Sequence, residues 1–166
     1  MDRRKFVLTP LLLVVAGCGF RLRGTAEVPF QTLYLPGATS GIALDLKRHI
    51  QAGTKARVVD DAGKAEAVMQ FTEETRQKEV LSLTGTGKVR EFQLRYRVGF
   101  RVHDGKGTDF VPQSLIQLTR DVTFNDAEIL AKEQEEQILF RDMQTDMVQQ
   151  ILRRLAAAKR QKPAAQ

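Results

Sequence analysis

The chain has 166 residues, a formal net charge of +6, two histidines and one cysteine. A single cysteine excludes an intramolecular disulfide and a thiolate metal cluster built from this chain alone. The histidines have no spacing that resembles a metal site or a catalytic triad, and neither Ser82 nor Ser114 has the flanking glycines of a nucleophile elbow. We therefore predict no catalytic residue, no metal site and no enzymatic activity.

The first eighteen residues have the order of a bacterial lipoprotein export signal. Residues 2–5 are mostly basic, residues 6–15 are apolar, and Ala16 and Gly17 precede Cys18. The apolar stretch is about half of the roughly 20 residues that a spanning helix needs, so it suits export rather than permanent insertion. We predict a signal peptide over residues 1–17, with diacylglycerol and an N-acyl chain on Cys18 and no other cofactor. The general and twin-arginine export routes both stay open.

Removal of this leader changes the charge only slightly. The leader carries three basic residues and one acidic residue, so its loss lowers the net charge from +6 to +4. A basic exported protein suits an anionic membrane surface, an acidic lipid or a glycolipid, whereas export excludes nucleic acid as the natural partner. Several acyl chains on one cysteine would make the membrane anchor effectively permanent.

The remaining sequence predicts one α+β domain over residues 31–158. Residues 18–30 contain turn-forming and charged residues and are predicted to be the lipid anchor and a short tether. A short strand is predicted at residues 32–35, and a helix with Ser40 as its candidate cap ends near Gly53. Residues 57–59 are a second short apolar run.

Three long strands are predicted between residues 67 and 124. The first is so polar in its middle that we expect it to be solvated, bulged or completed by a partner. In the second, six apolar residues alternate with polar ones from residue 91 to residue 102, which indicates a strand with one buried face. Glycines at residues 85–87 and 105–107 supply turns, so an antiparallel meander is predicted, with Pro112 at the irregular start of its last strand.

A long helix is predicted after the meander. Asn125 and Glu128 resemble a capping box, and the helical pattern continues to about Ala158. Its apolar stripe consists of Leu139, Met143, Met147, Ile151 and Leu155. The predicted fold is thus a four-stranded mixed or antiparallel sheet with two helices packed on one face. Residues 159–166 have nothing to bury and are predicted to be a disordered tail.

Four segments together resemble the lipopolysaccharide-assembly lipoprotein family: CGFRLRG at residues 18–24, EFQL at 91–94, TRDVTFN at 119–125 and LAKE at 130–133. The similarity continues through Asp142 to Leu155 and covers essentially the whole mature domain. It implies a small domain that sits as a plug inside a large outer-membrane β-barrel, the translocon that delivers lipopolysaccharide to the cell surface. By similarity to sorting in Gram-negative lipoproteins, Gly19 in place of aspartate implies a lipid-anchored location at the outer membrane, on its periplasmic side and within the barrel lumen.

Lipopolysaccharide carries phosphates and acidic sugars, so a plug that touches it needs cations rather than catalytic groups. The candidates are Lys88 and Arg90 beside a strand turn, and the more distant Arg76 and Lys78. The family resemblance adds Lys132, near the start of the long helix.

Each of these assignments has an alternative. Lys132 lies four residues from both Glu128 and Glu136, so ion pairs that stabilise the helix are as plausible as a ligand contact. Arg120 is a candidate for holding the strand end to the helix start. The alternative function is a periplasmic tethered accessory or scaffold lipoprotein of another envelope transport system.

Overall fold

The structure is a computed structural model, and it describes residues 27–159. The predicted leader, Cys18, most of the tether and the tail beyond Lys159 lie outside the described residues. The elements are β1 Thr32–Tyr34, α1 Gly41–Gly53, β2 Arg57–Val59, β3 Ala67–Leu83, β4 Val89–His103, β5 Asp109–Thr123 and α2 Ile129–Ala156, with short 3-10 helices at Ala62–Lys64 and Asp126–Glu128. Neither α1 nor α2 is long and apolar enough to cross a membrane.

The sheet has five strands in the order β2-β1-β3-β4-β5, so the prediction of four strands was wrong. The additional strand is β2, the short apolar run at Arg57–Val59, which pairs in parallel with β1 from Thr32 to Tyr34. Three residues are too few to show an alternating pattern in the sequence. The pairing of β2 with β1 therefore depends on the position at which α1 ends beside the sheet. Strands β1 and β2 with α1 between them form a parallel βαβ unit.

The three long strands form the predicted antiparallel meander. Its turns contain glycines in the left-handed region, with φ of 81° at Gly87 and 70° at Gly105. Strand β3 is bulged, which is one of the three alternatives expected for it, because its register with β4 shifts between Phe71 and Glu73. Only the first residues of β3 pair with β1, so its outer edge beyond Val68 has no strand partner in the described part of the chain.

The hydrophobic core lies between one face of the sheet and the two helices. Alternate residues of β4 are completely buried on this face: Leu94, Tyr96, Val98, Phe100 and Val102. Helix α1 contributes Ile42, Leu46 and Ile50, and α2 contributes Met143, Met147, Ile151 and Leu155. The apolar stripe predicted for the long helix is therefore confirmed in its second half, while Leu139 packs at the edge of the core.

Helix α2 starts later than the capping-box pattern predicts. The Asn125 side chain accepts a hydrogen bond from the Ala127 amide and so caps the 3-10 helix. The α-helix itself begins at Ile129, where Glu128 forms no side-chain cap, and it ends at Ala156 rather than near Ala158. Of the predicted capping box, only the hydrogen bond to the Asn125 side chain is formed. The 3-10 helix at Asp126–Glu128 delays the start of the α-helix by three residues.

Candidate functional site

Most of the predicted basic residues lie at one end of the molecule, which we call the hairpin end and define as residues 80–92 and 122–136. The β3–β4 hairpin reaches this end, where Leu83 pairs with Val89. The β5–α2 junction lies beside it, because the Phe124 amide donates a 2.8 Å hydrogen bond to the Arg90 carbonyl. Residues far apart in sequence are therefore brought into one region.

Lys88 and Arg90 face solvent at the hairpin end. Lys88 Nζ lies 3.2 Å from Asp126 Oδ2, and their side chains are 71% and 59% exposed. Such an exposed pair is weak and screened by salt, so it leaves Lys88 able to bind another anion. The Arg90 side chain is exposed, and no acceptor within residues 27–159 pairs with its guanidinium.

Lys132 makes contacts other than the two that its spacing predicts. Its Nζ lies 2.8 Å from Glu135 Oε2 and 3.2 Å from Thr123 Oγ1. The expected ion pairs with Glu128 and Glu136 are not formed. Lys132 therefore joins the first turns of α2 to the end of β5, with its side chain only 18% exposed.

Arg76 and Lys78 point from β3 towards α2 and hold the helix on the sheet. The Arg76 guanidinium lies 4.7 Å from the centre of the Tyr96 ring and donates a hydrogen bond to Gln144 Oε1. Lys78 Nζ lies 2.6 Å from Glu136 Oε2 and 4.4 Å from the Phe92 ring centre. Arg76 contacts both the sheet and the helix while remaining exposed, whereas Lys78 lines a small cavity together with Lys132.

Arg120 belongs to the same group of sheet-to-helix contacts. Its guanidinium lies 2.9 Å from Asp146 Oδ2. The expectation that it joins a strand end to the helix start is thus corrected, since Asp146 lies in the second half of α2. Arg120 contacts protein rather than presenting a free cation.

Tyr96 is a buried polar group beneath Arg76. Its hydroxyl donates a 2.8 Å hydrogen bond to Glu74 Oε1, and its side chain is completely buried. Burial raises the pKa of Tyr96 well above its ordinary value, Glu74 raises it further, and Arg76 partly offsets the shift. The phenol therefore stays protonated at neutral pH and acts as a fixed donor.

The hairpin end also carries exposed apolar side chains that the sequence analysis missed. Five of them are each at least 47% exposed: Val80, Leu81, Leu83, Ile129 and Leu130. The VLSL run immediately before the GTG turn was the available signal. Apolar side chains grouped with cations at one end mark a contact surface.

A search of the described residues finds no group of three or more metal-ligating side chains. The described residues form a small α+β domain. Its hairpin end carries exposed apolar and basic side chains and is therefore suited to contact with another molecule. The chain belongs to the lipopolysaccharide-assembly (LptE) family, whose sequence model matches residues 27–155. This is a family of non-enzymatic outer-membrane lipoproteins that take part in lipopolysaccharide assembly, so the family predicted from the sequence is confirmed.

Named relatives and solved structures agree with this assignment. The chain is 29% identical over 159 residues to the LPS-assembly lipoprotein LptE of Photorhabdus laumondii, covering 92% of this chain and 86% of that protein. It is 32% identical over 160 residues to that of Yersinia pestis, covering 92% and 76%.

Among solved structures, lipoprotein B from Nitrosomonas europaea superposes with a TM-score of 0.72 at 45% identity, covering 84% of this chain and 91% of that one. A minor lipoprotein from Acinetobacter baumannii gives a TM-score of 0.65 at 25% identity, covering 82% and 99%.

Proposed function

We propose that this protein is held in the outer membrane by lipid on Cys18, forms a complex with the lipopolysaccharide-transport β-barrel, binds lipopolysaccharide and assists its assembly at the cell surface. Family membership shows the part in lipopolysaccharide assembly, and this supports an association with the transport machinery. The observation that supports the finer proposal is the hairpin end, where exposed apolar and basic side chains lie together.

The open face of the sheet supports a position inside a barrel lumen. This face carries the ion pairs Arg95–Glu79 at 3.0 Å and Arg97–Glu73 at 3.3 Å, and neither helix covers it. The inner wall of an outer-membrane barrel is polar, so a plug needs a polar outer surface. A sheet face that carries ion pairs and hydrogen-bonded charges, such as Arg101 with Gln70 Oε1, meets that need.

Lipopolysaccharide binding is assigned in this proposal to Lys88, Arg90 and Lys132, with Lys78 beside them. Phosphate groups form charge-assisted hydrogen bonds with lysine and arginine. Lys88 can exchange its exposed partner Asp126 for a phosphate, and Arg90 has no competing acceptor in the described part. Arg76 acts in the proposal by holding α2 in place.

The tether limits how far the domain lies from the membrane. The proposal keeps a signal peptide at residues 1–17, the anchor and tether at 18–30, one domain at 31–158 and a tail at 159–166. Glu27, the first described residue, is nine residues after Cys18. A fully extended segment of that length spans about 30 Å, so the domain stays close to the membrane surface.

Purification of the tagged full-length protein from its own outer membrane in mild detergent tests the barrel complex. We expect mass spectrometry to find a large β-barrel protein in about equal amount. Recovery of the lipoprotein alone would contradict the plug proposal and favour a tethered accessory of another transport system.

Charge reversal tests lipopolysaccharide binding in the same purified material. The variant Lys88→Glu with Arg90→Glu is expected to bind lipopolysaccharide at least about tenfold more weakly, since two favourable phosphate contacts become repulsive. Lys106→Glu is the matched control, because Lys106 is an exposed lysine in the hairpin turn at the opposite end of the sheet. Equal binding by both variants would remove Lys88 and Arg90 from the site.

A further inference from the structure

The inward-facing stripe of α2 changes character halfway along the helix. In the second half, the buried positions are Met143, Met147, Val148, Ile151 and Leu155. Continued towards the N-terminus at the helical period of about 3.6 residues, the stripe passes the partly buried Leu139 and Phe140 and then reaches Glu136 and Lys132, which are half-buried, whereas most of their neighbours are exposed. Two charged side chains thus occupy positions that would be apolar if this half of the helix were part of the core.

The sheet surface beneath these two charges is apolar. It consists of Phe92, Leu94, Val122 and Phe124, and the two phenylalanine rings meet edge to face with centres 5.2 Å apart. Between this surface and α2 lies a cavity of about 10 Å³, lined also by Lys78, Lys132 and Glu136. That volume is near the minimum for one water molecule, so the site is closed in this structure.

Polar contacts help to keep the cavity closed, in addition to the burial of Leu94 and Val122 beneath the helix and the packing of Leu139 and Phe140 against the core. The principal contact is the 2.6 Å ion pair between Lys78 and Glu136, whose side chains are 36% and 26% exposed. A partly exposed pair of this kind is weak and depends on salt. Its charged groups can also return to water if the helix separates, so opening leaves no buried group without a partner.

We propose that the first half of α2, residues 129–140, is a movable cover over an acyl-chain site, and that the chain it admits belongs to lipopolysaccharide. A phosphate of the lipid replaces Glu136 at Lys78 and also contacts Lys132. The acyl chain then lies on Phe92, Leu94, Val122 and Phe124. This inference rests on the proposed function and adds the site of the acyl chain and the group that competes with the lipid.

Charge complementarity favours this occupant over an uncharged chain. Lys78 and Lys132 flank the cavity, and the exposed Lys88 and Arg90 lie at the same end of the molecule. Glu136 is the acidic side chain that lines the cavity, and it competes for Lys78. Because Glu136 reforms its ion pair when the lipid leaves, the cover closes again, which suits a protein that must pass its ligand on.

The absence of tryptophan from the chain permits a local test. Phe124→Trp places a single tryptophan at the cavity, and Tyr34→Trp places the control tryptophan on β1, remote from it. The chain from residue 18 onward, made in the cytoplasm so that no lipid is attached, is titrated with dodecyl phosphate brominated near the chain end. We expect bromine to quench the tryptophan at position 124 and leave the one at position 34 unchanged.

The competing carboxylate gives a second readout. Glu136→Gln should lower the apparent Kd for dodecyl phosphate by about two- to fivefold, since it removes a competitor of ordinary ion-pair strength. Glu133→Gln, an exposed position one turn away on the outer surface of the helix, should leave the Kd unchanged. Should the tryptophan variant fail to fold, hydrogen exchange of residues 129–140 with and without dodecyl phosphate in the unsubstituted chain replaces the quenching measurement.

The outcomes separate this inference from the proposed function. If position 124 is not quenched while charge reversal at Lys88 and Arg90 still weakens lipopolysaccharide binding, the acyl site is wrong and the proposed function stands. Equal quenching by brominated dodecyl maltoside, which has an acyl-like chain but no phosphate, would also overturn the inference, because it would show a site for any alkyl chain. If lipopolysaccharide does not bind at all, the proposed function fails first.

Discussion

Substitution of Gly99 by alanine gives the sharpest test of the packing between β3 and β4. Gly99 is buried and lies opposite the β3 bulge at Thr72. A Cβ atom at position 99 would lie 2.6 Å from Thr72 Oγ1 and 3.3 Å from Glu73 Cβ. Thr72 Oγ1 also accepts a 2.6 Å hydrogen bond from Gln113 Nε2, so moving it breaks a second contact.

Two opposing effects determine the magnitude. Overpacking of a filled site costs about 1–3 kcal/mol, and replacing glycine by alanine recovers about 0.4–1 kcal/mol by restricting the unfolded chain. We therefore expect Gly99→Ala to lower the free energy of unfolding by about 1–2 kcal/mol, measured by urea denaturation followed by circular dichroism. Gly53→Ala is the control with little expected loss, because nothing lies within 4 Å of a Cβ at that position.

A double-mutant cycle identifies the cause of the loss. Thr72→Ala removes the Oγ1 atom that the new methyl group would meet, so Gly99→Ala should cost close to nothing in that background. The coupling free energy is expected to be about 1 kcal/mol, above the usual error for independent sites. The same cost for Gly99→Ala with and without Thr72 would refute the steric explanation.

Three further predictions concern single contacts. Met147→Ala should lower the free energy of unfolding by about 2–5 kcal/mol in the same urea assay, because the side chain is fully buried and a cavity would remain; a loss below about 1 kcal/mol would contradict its place in the core. The Arg120–Asp146 pair, with side chains 44% and 53% exposed, should show a coupling below about 1 kcal/mol that falls with added salt; a larger coupling that does not depend on salt would show that the pair is more shielded than it is here. Because the pKa of Tyr96 is raised in the folded state, its contribution to stability is complete below the unfolded pKa near 10 and falls above it, by at most about 1.4 kcal/mol per pH unit. In a Tyr34→Phe variant, whose sole tyrosine is Tyr96, absorbance at 295 nm should show no phenolate until the protein unfolds, whereas ionisation near pH 10 in the folded state would contradict the burial.

The strongest local patterns of the sequence were enough to predict the meander and the long helix. In β4 the apolar positions alternate without interruption, so one shift of register would expose the entire buried face. The glycine turns at Gly87 and Gly105 then determine which strands are neighbours. Strand β2 was missed because its three residues have no periodicity of their own.

The positions of Arg76 and Lys78 could not be predicted because the β3 bulge reverses which residues face the helices. Before it, the inward residues are Met69 and Phe71, which have odd numbers. After the register shift they have even numbers, since Arg76 lies opposite Tyr96 and Lys78 opposite Leu94. The polar middle of β3 gives no hydrophobic signal from which the reversal could be read, and the helix partners lie more than fifty residues away.

The two halves of α2 differ in how much apolar burial holds them on the sheet. In the second half of the helix, Met143, Met147 and Ile151 are completely buried. Separating this half from the sheet would expose these apolar side chains to water, which is unfavourable in proportion to the area exposed. The reversed strand presents a cation to each half of the helix: Lys78 contacts Glu136 in the first half and Arg76 contacts Gln144 in the second, and water can replace both contacts. One inserted residue in a strand thus places the Lys78–Glu136 ion pair under the first half of the helix, which we propose to be separable, while the apolar stripe fixes the second half in the core. The separable half lies at the hairpin end, beside the cations to which we assign lipopolysaccharide.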